Sequence, residues 1–145
     1  MRKIAMLILT ISLSSIIGCY SQSSPLTIVE NFFSHLESGN NTGAVKSLPV
    51  SSNIENDTSF YTRISSTLHE NEISCGKFCG YELIEQNEIS ESYIISEYLI
   101  KYLNAPRRVQ FIFYKPVDKW QVNQININFR ERSSRVKNRT TKQLN

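Results

Sequence analysis

Apolar positions along this chain change their period twice. Residues 4–13 are an almost continuous apolar run, led by Arg2 and Lys3 and followed by Ile16-Ile17-Gly18-Cys19. After a polar stretch, Leu26, Ile28, Val29, Phe32, Phe33 and Leu36 recur at helical spacing. Ser24 can cap that helix, Pro25 suits its first position and Gly39 ends it. A shorter helix follows, with Thr42 as its cap and Ala44, Val45 and Leu48 facing inward before Pro49 stops it. Residues 57–70 form a third helical candidate, with Phe60, Ile64 and Leu68 four apart and Tyr61 beside them. From Gly80 the pattern turns to β-branched and aromatic residues in four runs, 81–89, 92–103, 107–115 and 119–129.

Short turn signals separate those runs, at Ser90-Glu91, Asn104-Ala105-Pro106 and Pro116-Val117-Asp118. Links this short join antiparallel neighbours. Val109, Phe111 and Phe113 share one face of the third run. In the fourth, Trp120 and Val122 share a face, but Ile125, Ile127 and Phe129 fall on the opposite parity. That phase change predicts a bulge near Asn123 or Gln124, which bends the sheet. Helices first and a meander afterwards predict an α+β domain in which N-terminal helices pack on a curved, cone-like, four-stranded antiparallel sheet.

The N-terminal run reads as a secretion signal: a basic end held at the anionic cytoplasmic surface, an apolar segment, and a small residue giving a peptidase access beside a thiol. Ile16, Ile17 and Gly18 resemble the bacterial lipobox, which implies that Cys19 becomes the acylated first residue of the mature chain. A membrane anchor needs about 20 consecutive apolar residues, and Thr10, Ser12, Ser14 and Ser15 interrupt this run. Ordinary cleavage could use Cys19-Tyr20-Ser21 or Ser21-Gln22-Ser23, but Gly18-Cys19 at the end of the apolar run suits lipidation better. Tyr20 follows the cysteine in place of an aspartate, and resemblance to known sorting implies the outer membrane in a host with two.

What remains after the signal is long enough for one core. The expected organisation is a signal at 1–18, a tether at 19–24, an α+β domain at 25–130 and a basic, disordered tail at 131–145. Residues 53–59 are also polar and aperiodic, but they lie within the domain. The net charge of +3 hides a split: residues 19–129 carry 8 Lys or Arg against 12 Asp or Glu, while residues 130–145 carry 6 basic residues and one acid. An acidic body in an extracytoplasmic compartment argues against nucleic-acid binding through the tail, and attraction to anionic envelope surfaces suits it better.

The order of helices and strands, the amphipathic opening helix, and Phe113-Tyr114-Lys115-Pro116 followed by Asp118-Lys119-Trp120 resemble small bacterial lipoproteins of the nuclear-transport-factor-two-like, or cystatin-like, superfamily. The resemblance covers residues 25–129. It implies the fold and leaves the function open, because that superfold hosts isomerases, dehydratases, cyclases, transport receptors and proteins without known activity.

With Cys19 assigned to lipid, Cys75 and Cys79 remain. In an oxidising compartment, and with Gly76 and Gly80 freeing the backbone, the simplest expectation is a local disulfide between them. A redox pair would want two-residue spacing at a helix start, and a Cu(I) site would use both thiolates with His69; neither is preferred. His35 sits at the edge of the first apolar stripe and His69 lies off the third. No catalytic triad, phosphate loop or metal-binding helix motif is readable, so no metal or cofactor is expected. Glu97 is the acid of most interest, mid-strand with Tyr93, Ile95 and Leu99. Facing a cavity it would be a general-base candidate; facing outward, the preferred reading, it pairs with Lys101 or a neighbouring strand. Tyr93, Glu97, Tyr98, Phe111, Phe113 and Trp120 make the candidate pocket, although core packing alone accounts for such aromatics. The functional expectation is a membrane-tethered, non-catalytic binding module, held by lipid on Cys19 and taking an apolar ligand or an envelope protein. The alternative is an isomerase- or dehydratase-like enzyme using Glu97 and nearby tyrosines.

Overall fold

The computed structural model describes residues 23–128, which fold as four helices followed by a four-stranded antiparallel sheet. The segment expected to be a signal, Cys19 with its expected tether, Phe129 and the basic tail lie outside the described residues. None of the described helices is long and apolar enough to cross a membrane.

Helix α1, Pro25–Glu37, begins where Ser24 Oγ accepts the Thr27 amide at 3.2 Å. It buries Ile28, Val29, Phe32, Phe33 and Leu36, whereas Leu26, expected in that stripe, is 58% exposed. Gly39 ends it in the left-handed region, with φ of 73°. The cap of α2, Asn41–Lys46, is Asn40 and not Thr42: its Oδ1 accepts the Gly43 amide at 2.7 Å. Gly43 permits that approach, since a Cβ there would lie 2.3 Å from Asn40 Nδ2. A single turn unforeseen in the sequence, α3, spans Ser52–Glu55.

Asp57 caps α4, Thr58–Cys75, accepting from the Ser59 and Phe60 amides. The Ser59 hydroxyl, the strongest of several hydrogen-bonding contacts, holds the Asp57 carboxyl below its ordinary pKa. The helix runs past residue 70 because Asn71 and Cys75 continue the buried stripe of Phe60, Ile64 and Leu68.

Strands β1 (Phe78–Ser90), β2 (Tyr93–Tyr102), β3 (Arg107–Tyr114) and β4 (Gln121–Ile127) form a meander in sequential order. Strand β2 alternates without a break, burying Ile94, Ser96, Tyr98, Ile100 and Tyr102 on the helix side. Val109, Phe111 and Phe113 lie on the same side of β3. The bulge predicted in β4 is present: Gln124 pairs with Ile112 but Val122 with Phe113, leaving Asn123 as the extra residue. It returns Ile125 to the core beside Val122. Pro49 and Val50 engage the outer side of β4, where Val50 bridges to Val122 and the Val122 amide donates to the Pro49 carbonyl at 2.7 Å.

Strand β1, at the other edge, starts earlier than its apolar pattern suggests and slips register three times against β2. The extra residues are Cys79, Ile84 and Ile89. Each slip moves the following side chains to the other face, so this strand has no constant parity.

Candidate functional site

The space between helices and sheet is filled by aromatic rings. Phe111 meets Phe32 edge-on at 5.3 Å between centroids and stacks on Phe113 at 5.9 Å. Phe33 stacks on Tyr81 at 3.9 Å and meets Tyr98 at 5.7 Å. Tyr98, Phe111 and Phe113 are therefore core residues packed against the helices. Burial raises the Tyr98 pKa, with smaller contributions from Tyr81 and Glu30. Burial, then Cys75 and Glu72, push Tyr102 up to about 12 against a lowering by Arg107. Both phenols stay protonated near neutral pH and cannot act as bases there.

The other expected pocket residues lie elsewhere, so the six do not form one site. Tyr93 and Glu97 sit on the face of β2 turned away from the helices, because β2 alternates strictly and their parity is odd. Glu97 forms an ion pair there with Arg108 of β3, the neighbouring-strand outcome expected of an outward-facing acid. Its neighbour Lys101 instead pairs with Glu82 of β1 at 2.8 Å. Trp120 precedes β4 and is only partly buried, with Lys115 Nζ 5.0 Å from its ring centroid.

The expected Cys75–Cys79 disulfide is not formed. Both thiols are free, Cys75 buried and Cys79 exposed. The physical reason is local geometry: Cys75 occupies the inward stripe of α4, Gly76 turns the chain with φ of 85°, and Cys79 is the bulged residue of β1. The Cys79 thiol donates to the Lys77 carbonyl at 3.3 Å. Among the described residues, no group of three or more His, Cys, Asp or Glu side chains is arranged to hold a metal ion. His35 is half-buried on α1 and His69 exposed on α4.

Two surface features border β1. A cleft of about 640 Å³ opens between α1 and the start of β1, lined by Glu30, Ser34 and Glu37 on one side and Lys77, Cys79 and Tyr81 on the other. Further along β1, Leu83, Ile84 and Ile89 are 53%, 46% and 63% exposed, set among the exposed acids Glu82, Glu85, Glu88 and Glu91. Ile84 and Ile89 are the extra residues of two register slips, which explains why aliphatic side chains of a strand fail to reach the core. Residues 81–89 read in sequence only as the first of four strand runs, with no functional residue expected on this edge. No model of a known protein family matches the chain, and no curated protein matches it in sequence.

Proposed function

We propose that this chain is a membrane-tethered extracytoplasmic lipoprotein whose α+β domain acts as a non-catalytic interaction module, with the β1 edge as its contact surface. The observation that supports this most is the pairing of a ring-filled interior with exposed Leu83, Ile84 and Ile89 at a sheet edge. Acid/base catalysis needs a titratable group in a water-restricted pocket, and the interior here is occupied by aromatic and aliphatic side chains. Exposed apolar residues rimmed by charge suit recognition of another chain. The tether rests on the N-terminal pattern, and the outer membrane is the destination this reading gives in a host that has one.

Complementation of a deletion strain tests the module. Glu97→Gln should retain function even though it costs about 1.5 to 3 kcal/mol, since the Glu97–Arg108 pair on the outer face is largely shielded, its side chains only 12% and 25% exposed. Ile84→Glu with Ile89→Glu should lose function while the fold and location persist. The reverse pattern would favour the acid/base enzyme.

The tether has its own check. Mass spectrometry of the chain from the membrane fraction should find acylated Cys19 as the first residue, and Cys19→Ala should accumulate as precursor. An unmodified N-terminus at a later residue would refute it.

A further inference from the structure

We propose that the cleft between α1 and the start of β1 binds a short peptide with free ends, its ammonium beside Glu30 and Tyr81 and its carboxylate at Lys77. The site is separate from the contact surface at Leu83, Ile84 and Ile89, so neither reading depends on the other.

The cleft holds opposite charges that leave each other unneutralised. Exposed Glu30 and Lys77 lie on its two walls, and among the described residues neither side chain forms an ion pair or a hydrogen bond. Lys101, the other base in the lining, is already held by Glu82 at 2.8 Å. A ligand with one charge of each sign complements both walls, whereas a purely cationic or anionic one meets a like charge on one side.

One end is suited to an ammonium. Tyr81 lies half-buried there, its ring stacked on Phe33 at 3.9 Å. Behind it Tyr98 is only 3% exposed and meets the Tyr81 ring edge-on at 6.0 Å. The Tyr98 hydroxyl bonds to no described residue, and the two groups that act on it electrostatically, Tyr81 and Glu30, both line the cleft. A carboxylate, an aromatic ring and a phenol oxygen without a partner together offer an ammonium a counter-charge, a π face and an acceptor.

Length selects a peptide over a free amino acid. Lys77 precedes β1 and Tyr81 is four residues on, past the bulged Cys79, so at most about 13 Å separates the two backbone positions. Three extended residues span about 10 Å, while the ammonium and carboxylate of a single amino acid are only about 3 Å apart. Glu37, two turns beyond Glu30 on α1 and about 10 Å along its axis, is too far away to share the same ammonium.

Cys79 supplies the readout, since its thiol is exposed and lines the cleft whereas Cys75 is buried. Iodoacetamide alkylation of each thiol in the full chain is timed with and without trialanine and mapped by mass spectrometry. Cys75 should stay unmodified in every folded variant. At about 10 mM, trialanine of millimolar affinity should slow Cys79 alkylation about 5-fold or more. Free alanine and trialanine capped at both ends should leave the rate unchanged. Lys77→Ala should abolish the preference for a free carboxylate over its amide, and Glu30→Gln the preference for a free amine over its acetylated form. Glu37→Gln removes the same charge as Glu30→Gln and should leave protection within about 2-fold of the parent. Three results would overturn the proposal: no slowing by trialanine while Cys75 stays unmodified, equal slowing by alanine or the doubly capped peptide, or equal losses in Glu30→Gln and Glu37→Gln. The last would reduce the effect to the general charge of the surface.

Discussion

Phe111→Ala is expected to lower stability by about 3 to 5 kcal/mol, a large share of the 5–15 kcal/mol typical of a single domain. Phe111 is fully buried at the centre of the ring cluster, against Phe32 and Phe33 of α1, Tyr98 of β2 and Phe113 of its own strand. Truncation removes its transfer free energy and leaves a cavity bounded by rings from three elements. Those elements are fixed by their own hydrogen bonds, so the site cannot collapse cheaply. Urea denaturation is the measurement, with a lower midpoint and an unchanged slope as the expected result. A loss below about 1.5 kcal/mol would mean that the interior is loosely packed, which would reopen the hollow-cone reading on which an enzyme depends.

The ease of reading this fold from sequence varied with how many local signals agreed. Helix α1 was legible because cap, first-position proline, apolar stripe and terminal glycine all coincide between Ser24 and Gly39. The β4 bulge was legible because Val122 and Ile125 are strong apolar markers on either side of a phase change. By contrast α4 was cut short: Asn71 and Cys75 occupy stripe positions, and a polar amide carries no hydrophobic signal. Strand β1 was harder still. Its slips at Cys79, Ile84 and Ile89 break period two every five residues, so the parity rule that worked for β2 misassigns its faces. The candidate pocket failed for a related reason. Tyr98 and Glu97 are adjacent in a regular strand and must point to opposite faces, and no spacing rule says which strand faces meet Phe111 until the register of β2 against β3 is known. The outward pairing of Glu97 was legible from its neighbours, although its partner, Arg108, was not. The free state of the two thiols was not legible, because compartment and spacing say nothing of the turn at Gly76.

Asn71→Ala should be a strongly damaging polar substitution, at about 2 to 3 kcal/mol. Asn71 is 3% exposed on the inner stripe of α4. Its Oδ1 accepts from Asn128 Nδ2 at 2.9 Å and from Arg107 Nε at 3.3 Å, while its Nδ2 donates to Asn128 Oδ1 at 3.3 Å. One amide thus ties α4 to the start of β3 and to the turn that ends β4. That turn holds a non-glycine residue at φ of 60°, a conformation asparagine tolerates better than most side chains. Removing Asn71 takes the partner from the Asn128 side-chain amide and from one guanidinium nitrogen of Arg107, at the margin of the core where Arg107 is half-buried and Asn128 exposed. Three hydrogen bonds are lost together, at roughly 0.5 to 1.5 kcal/mol net each, and their sum sets the expected loss. Asn71→Asp should cost less than Asn71→Ala, because a carboxylate still accepts from both donors and adds attraction to Arg107. Thermal or urea unfolding of the two variants decides the matter. If Asn71→Ala lies within about 0.5 kcal/mol of the parent, the amide contributes no more than a surface group and the docking of α4 rests on its apolar stripe alone.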